Sequence, residues 1–203
     1  MARDFDVIVI GSGAAGLSAA VAAADAGASV LIAEAGTQVG GSSRLSGGHF
    51  YAAGTSVQAE AGVTGDTADA MYEHYMTLNQ WLVDPAVVRR YCDLSAPTFE
   101  WLRQLGVEFR KEGVYPSGVG STPRGHQPTG SGEEVVNVLD GHCNHRGVQT
   151  LLNARVSGLM TDQDGRVTGI QIGDDTATAG AVIMATGGFG ANPALIEKYY
   201  PQA

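Results

Sequence analysis

Uninterrupted apolar runs alternate with amphipathic stretches along this chain. The runs Phe5–Ile10 and Ser29–Ala33 contain no regular alternation with polar residues, which is typical of parallel strands covered on both faces. Between them, Leu17–Ala26 consists mostly of small apolar residues and predicts a helix. The beginning of the chain therefore predicts strand, helix and strand in that order.

The middle of the chain has helical periodicity. Asp66–Leu82 carries apolar residues at spacings of three and four, a second helix begins at Pro85 and is either continuous or broken at Pro97, and a third covers Ser131–Arg146. We expect the Met and aromatic positions of these helices to pack in a core. Lys111–Gly132 is rich in Gly, Pro, Ser and Thr and predicts a long surface loop.

The last part of the chain returns to strands. Val148–Leu152 predicts a short strand, and Val156–Thr161 and Arg166–Ile172 flank an Asp-Gly turn that favours a hairpin. Ala181–Ala185 is a further unalternated apolar run and predicts another buried strand. Beyond it, Asn192 precedes a proline in the arrangement of a helix start.

A glycine-rich turn follows the first predicted strand directly. Gly11, Gly13 and Gly16 leave backbone amides and a helix N-terminus facing an incoming pyrophosphate, with no side chain to block close approach. Glu34 ends the second strand, where its carboxylate can accept hydrogen bonds from a ribose diol. A glycine turn selected only for tight packing is the alternative, but it would not require that acid. The pattern predicts a dinucleotide site on half of a Rossmann unit.

Composition excludes several classes of partner. The 203 residues fit one domain, and the net charge of −9 argues against nucleic-acid and anionic-membrane partners. No apolar run is long enough to span a membrane, and the first strand begins at Phe5, so we expect no secretory or transit peptide and a cytoplasmic protein. Cys92 and Cys143 are too few and too far apart for a disulfide scaffold or a zinc site. We predict no metal site, because Asp162 and Asp164 fit a solvated turn better than a calcium loop.

Three motifs in this order resemble a flavoprotein family. They are GSGAAG at residues 11–16, GGSSRLSGG at residues 40–48 and ATGGFGAN at residues 185–192. Together they resemble the FAD-dependent oxidoreductases grouped around fumarate reductase, urocanate reductase and 3-ketosteroid dehydrogenase, over essentially the whole chain. The resemblance implies an α/β fold: a Rossmann-like, glutathione-reductase-type FAD-binding domain with a parallel sheet, a β-meander and a helical insertion. It places the Rossmann core in residues 1–48 and 147–190 and the mostly helical insertion in residues 49–146.

The resemblance also implies the cofactor and its contacts. The histidine that carries covalent flavin in succinate dehydrogenases has no counterpart here, so FAD bound noncovalently is expected. Val156 is expected to contact adenine through its backbone, although a simple core role is an equal alternative. A capped loop is the alternative for the Ser43 and Ser46 pair. The predicted cofactor-binding residues are Gly11, Gly13, Ala14, Ala15, Gly16, Glu34, Ala35, Gly41, Ser42, Ser43, Ser46, Gly47, Gly48, Val156, Ala185, Thr186 and Gly187.

The catalytic group is less clearly marked. Tyr115 is a candidate acid near a ketone, while Arg124 and His126 are candidates to contact an anionic or carbonyl group, with a solvated loop pair as the alternative. His49 is interpreted as a packing or hydrogen-bonding residue.

The implied function is hydride transfer across a C–C bond next to a carbonyl, with a steroid or enoate-like small molecule as substrate and a separate electron donor or acceptor. The alternative is a non-catalytic module that binds FAD or NAD. Relative to the family the chain looks truncated, because the capping domain and return strand expected after residue 190 are absent, and we therefore expect these residues alone to be inactive.

Overall fold

The computed structural model describes residues 3–116 and 120–201, apart from the side chains of residues 111–113. The chain divides into two compact units, one formed by Met1–Ser42 with Leu139–Ala203 and the other by Ser43–Val138. In chain order the elements are β1 (Phe5–Ile10), α1 (Ala14–Asp25), β2 (Val30–Ala33), α2 (Gly41–Leu45), β3 (Phe50–Tyr51), α3 (Ser56–Glu60), α4 (Ala68–Leu78), α5 (Pro85–Gln104), β4 (Phe109–Tyr115), β5 (Gly125–Pro128), α6 (Ser131–His145), β6 (Gln149–Leu151), β7 (Val156–Thr161), β8 (Val167–Ile172), β9 (Asp175–Met184) and α7 (Pro193–Tyr199).

The first unit is built on a six-stranded sheet in the order β6-β2-β1-β9-β8-β7. β1 pairs in parallel with β2 and β9, β2 pairs in parallel with β6, and β7, β8 and β9 form an antiparallel meander. Ile8, Leu31 and Ile170 lie in its core. The predicted α/β fold with a parallel sheet and a β-meander is confirmed.

β9 is longer than the predicted strand Ala181–Ala185, because it belongs to both parts of the sheet. Its first residues, up to Thr178, pair with β8, and its later residues, from Ala179, pair with β1. The sequence pattern did not predict the first half of β9, because small and polar residues such as Thr176 and Thr178 interrupt the apolar run there.

The second unit contains the antiparallel sheet β3-β5-β4 and the helices α3, α4 and α5. The predicted surface loop Lys111–Gly132 is wrong in part, since β5 and most of β4 lie within it. β5 has the sequence Gly-His-Gln-Pro, which carries no apolar alternation, and its pairing with β3 and β4 determines its structure.

Two details of the helices differ from the predictions. α5 continues through Pro97 without a break, so the interrupted alternative is wrong. α4 ends at Leu78, before the predicted Leu82, because Gln80 and Trp81 adopt left-handed φ angles of 53° and 60°. Leu78 and Leu82 are consequently exposed instead of packed in a core. Among the described residues, no helix is long and apolar enough to cross a membrane.

Candidate dinucleotide site

The turn between β1 and α1 requires glycine at two positions. Gly11 has a φ of +98°, and a Cβ atom there would lie 2.5 Å from the carbonyl oxygen of Ala185. A Cβ atom on Gly16 would lie 1.9 Å from the carbonyl oxygen of Gly11. Gly13 is the N-cap of α1 and has no side chain with which to cap it. The glycines therefore serve the tight turn and also leave the start of the helix unobstructed.

Glu34 is tied to this turn by hydrogen bonds. Its Oε2 accepts from the backbone N–H of Ser12 at 2.9 Å and from the Ser12 hydroxyl, and its Oε1 accepts from the N–H of Gly36 at 2.6 Å. Burial would raise the pKa of Glu34, but the hydrogen bonds from Ser12 and Gly36 outweigh that effect and hold the pKa below its ordinary value. The carboxylate is therefore an anion at neutral pH.

These residues fit the adenosine diphosphate part of a dinucleotide. A carboxylate offers about four lone-pair positions, of which three are used, so Glu34 retains capacity for a ribose hydroxyl. α1 presents an N-terminus without a side-chain cap, which suits a pyrophosphate. Sequence reasoning missed Ser12, which is buried and accepts a hydrogen bond from the N–H of Gly40 at 3.1 Å.

The structure places Ala185 beside the glycine turn. Its N–H donates to the carbonyl of Ile10 at 2.9 Å, and Gly187 two residues later has a φ of +76° with open space around it. Val156 lies at the start of β7, half-buried against the core of the first unit, which is the environment of the simple core alternative. Its predicted adenine contact stays a prediction.

The second glycine motif begins in α2. Within the second unit, the Ser46 hydroxyl donates to the carbonyl of Ser43 at 2.7 Å and accepts from the N–H of Gly48 at 3.1 Å. This is the arrangement of the capped-loop alternative. A Cβ atom on Gly132 would lie 2.0 Å from the carbonyl oxygen of Ser43, so α6 packs closely on this loop. Sequence reasoning missed Gly132, although the run Gly130-Ser131-Gly132 is a visible glycine signal.

Arg124 is buried and paired. Its Nε and Nη2 donate to both oxygens of Asp66 at 2.7–3.2 Å, and Gln58 donates to Asp66 at 2.9 Å and to the carbonyl of Pro123 at 2.7 Å. Burial would raise the pKa of Asp66, but the hydrogen bonds from Arg124 and Gln58 lower it below its ordinary value. The solvated-loop alternative is therefore wrong for Arg124.

His126 is also buried, so the solvated-loop alternative is wrong for this residue too. Its Nδ1 lies 2.9 Å from the carbonyl of Arg124 and its Nε2 lies 2.8 Å from the hydroxyl of Thr55. A neutral imidazole with its proton on Nδ1 satisfies both contacts, because Thr55 can then donate to Nε2. Burial lowers the pKa of His126.

This burial predicts a pH dependence of stability. As the pH falls below the ordinary histidine pKa of 6.5, His126 becomes protonated in the unfolded chain but stays neutral in the folded protein. The free energy of unfolding therefore falls as the pH decreases. The expected slope reaches about 1.4 kcal/mol per pH unit. Urea denaturation between about pH 7.5 and 5.5 measures it. His126→Gln should reduce the change in the free energy of unfolding per pH unit, whereas His145→Gln, at an exposed position, should leave it unchanged. Equal slopes in the parent and both variants would contradict the prediction.

Tyr115 is the last residue of β4 and is half-buried. It pairs with Gly125, where a Cβ atom would lie 2.5 Å from the Tyr115 ring, so the missing side chain makes room for the phenol. The Tyr115 hydroxyl hydrogen-bonds to Nδ1 of His49. Burial, with a smaller contribution from the neighbouring Tyr51 hydroxyl, raises the pKa of Tyr115 to about 12. Tyr115 is therefore a neutral phenol at neutral pH, and the hydrogen-bonding interpretation of His49 agrees with this contact.

Parallel sheet, antiparallel meander, glycine turn and strand-end acid together define a dinucleotide-binding α/β protein. A family model described as "FAD binding domain" matches residues 6–203, and the chain belongs to this family. Membership of this family supports FAD as the dinucleotide that the chain binds.

Known proteins similar to this chain are longer flavoproteins. The chain is 35% identical to fumarate reductase (cytochrome) of Shewanella frigidimarina over 97% of its own length and 35% of that protein's. A flavocytochrome c3 fumarate reductase in its open conformation superposes with a TM-score of 0.89 at 32% identity, covering 98% of this chain and 36% of that one. The 3-ketosteroid-Δ4-(5α)-dehydrogenase of Rhodococcus jostii RHA1, in complex with 4-androstene-3,17-dione, superposes with a TM-score of 0.83 at 29% identity. The match covers 99% of this chain and 50% of the dehydrogenase. The chain thus spans about a third to a half of these relatives.

The contacts of Glu34 predict the effect of removing it. Glu34→Ala should weaken FAD binding by about 1–3 kcal/mol, since ribose hydroxyls lose a charged partner and Ser12 loses its acceptor. Glu34→Gln should retain part of the affinity. Asp174→Ala, at an exposed acid of the same unit, is the control. Titration of FAD by calorimetry measures the change, and parental affinity in Glu34→Ala would show that the ribose assignment is wrong.

Proposed function

We propose that this chain is the FAD-binding part of an oxidoreductase that transfers hydride to or from a C–C bond adjacent to a carbonyl. The observation that carries the proposal is the match to a fumarate reductase over 97% of the chain, with the glycine turn and Glu34 intact. Relatives are named for reducing fumarate and vinyl phenol, and one solved relative is a ketosteroid dehydrogenase. The named compounds fumarate, vinyl phenol and 4-androstene-3,17-dione each contain a conjugated double bond, which in the first and the last is conjugated with a carbonyl group. This supports a steroid or enoate-like small molecule here.

In this proposal the chain's residues bind FAD noncovalently. Gly11, Gly13 and Gly16 contact the pyrophosphate through backbone amides, and Glu34 binds the adenosine ribose. Residues of the second glycine motif contact the flavin end with hydroxyls and unobstructed amides. FAD supplies the hydride chemistry when bound. A cytoplasmic location and a separate electron donor or acceptor complete the proposal.

The proposed roles on the substrate side differ among the three candidates. Both ring nitrogens of His126 are used within the fold, which supports a positioning role, whereas Arg124 uses Nε and Nη2 and keeps Nη1 for a carbonyl group. Tyr115 is half-buried, and its protonated hydroxyl is held by His49, which supports a role as proton donor. Tyr115 is therefore the preferred acid candidate of the three.

The choice between FAD and NAD tests the proposal. FAD should bind at least about tenfold more tightly than NAD, because the second glycine motif has no role in binding a nicotinamide dinucleotide. Ser46→Ala, which removes the hydroxyl that links Ser43 to Gly48, should weaken FAD binding and leave NAD binding unchanged.

Calorimetry with both dinucleotides, together with the flavin absorbance of the purified chain, provides the measurement. Tighter binding of NAD would contradict the assignment and favour a plain nucleotide-binding module.

A further inference from the structure

A cavity of about 660 Å³ lies in the second unit. One face of α4 lines it with residues at spacings of three and four, among them Ala70, Glu73 and His74. The rest of its wall includes Tyr51 and Arg124. A cavity of this size accommodates a small molecule.

Arg124 brings unused hydrogen-bond donors to this cavity. Its side chain is only 9% exposed, and Asp66 fixes the guanidinium through Nε and Nη2. None of the described residues accepts a hydrogen bond from Nη1, although a guanidinium carries five N–H donors. Nη1 is not among the fully buried side-chain atoms that lack a partner, so a ligand in the cavity can reach it. The free edge of this guanidinium is thus suited to an acceptor atom from a ligand in the cavity.

The charges around the cavity favour an uncharged acceptor. The carboxylate of Asp66, at 2.7 Å, already neutralises Arg124. Glu73 on the cavity wall adds a further negative charge that would repel a carboxylate ligand. Tyr51 and Tyr75 line the same cavity, and aromatic residues suit a flat, conjugated molecule.

We propose that this cavity binds an uncharged, planar, conjugated carbonyl compound, whose oxygen accepts a hydrogen bond from Nη1 of Arg124. That this compound is the substrate of the oxidoreductase rests on the proposed function. Binding itself requires no flavin and is measured without it.

Three probes of similar size test the ligand class on the full ¹⁵N-labelled chain without FAD, by NMR titration near pH 8. Acetophenone carries the carbonyl, benzoate replaces it with a carboxylate, and ethylbenzene removes the acceptor. Acetophenone should shift the amides around Tyr51, Glu73 and Arg124, and the other two should bind at least about tenfold more weakly, as expected for a hydrogen bond from a charged donor. No shifts at the cavity, or equal binding of either comparison probe, would overturn the proposal.

Two variants locate the binding without disturbing the Arg124 pair. Ala70→Trp places a large side chain on the cavity wall, and Ala22→Trp makes the same change at an exposed position of α1. Acetophenone binding should be lost in Ala70→Trp alone; binding that survives there, or that is lost equally in both variants, would overturn the assignment. FAD titration of the same variants reports on the proposed function separately, because Ala70 lies outside the predicted FAD contacts.

Discussion

Replacing Gly16 with alanine is expected to destabilise the first unit by about 3 kcal/mol and to abolish FAD binding. The added methyl group would lie 1.9 Å from the carbonyl oxygen of Gly11 and 3.3 Å from Val9 Cγ1. Neither neighbour can move easily, because the Gly11 carbonyl belongs to the backbone of a tight turn and the Val9 side chain is fully buried. The clash must therefore displace α1 from the end of β1, where the backbone amides proposed to contact the pyrophosphate lie.

Gly141→Ala is the matched control, since both glycines lie in helices. Outside its chain neighbours and the backbone of its own helix, no atom lies within 4 Å of the position of its Cβ, and the residue is exposed in α6. Relief from the low helix propensity of glycine should stabilise the protein by about 0.5–1 kcal/mol. Equilibrium urea denaturation of both variants gives the signs directly. A Gly16→Ala protein as stable as the parent would mean that the strand and helix are spaced more widely than described.

Local signals were sufficient for several elements of the first unit. β1 and β7 begin and end at the predicted residues, and Asn192 caps α7 as expected, because its Oδ1 accepts a hydrogen bond from the N–H of Leu195. Each of these features depends on an apolar run or a cap within a few residues. Glu34 was likewise recognisable because a strand end is a short-range feature.

Long-range pairing explains what the sequence did not predict. Arg124 and His126 lie in a polar, glycine-rich stretch, yet both are buried, because Asp66 and Thr55 pair with them from 58 and 71 residues away. No periodicity within the stretch encodes those partners. The same holds for β5, whose strand conformation depends on pairing with β3 and β4. Polar residues in a glycine-rich segment therefore gave no indication of burial.

Residues 1–203, purified alone, are expected to show no turnover of 3-ketosteroids or fumarate above the rate of free flavin. The relatives are two to three times as long as this chain. Exclusion of water around the reacting groups is part of how a closed active site accelerates such a reaction. Steady-state assays with artificial electron carriers test this. Activity above that of free flavin would mean that these residues supply every group that the reaction requires, Tyr115 among them.

The same protein is expected to self-associate through one side of β9. Ala181–Met184 pairs with β1, but among the described strands none pairs with its other side, because β8 pairs with β9 only up to Thr178. Ile183 and Met184 are partly exposed there, and an apolar open edge favours association. Light scattering after size exclusion should show dimers or larger species. Met184→Lys should shift the protein towards monomer, whereas Leu82→Lys, at an exposed leucine of the other unit, should not; the reverse result would place the contact on the second unit.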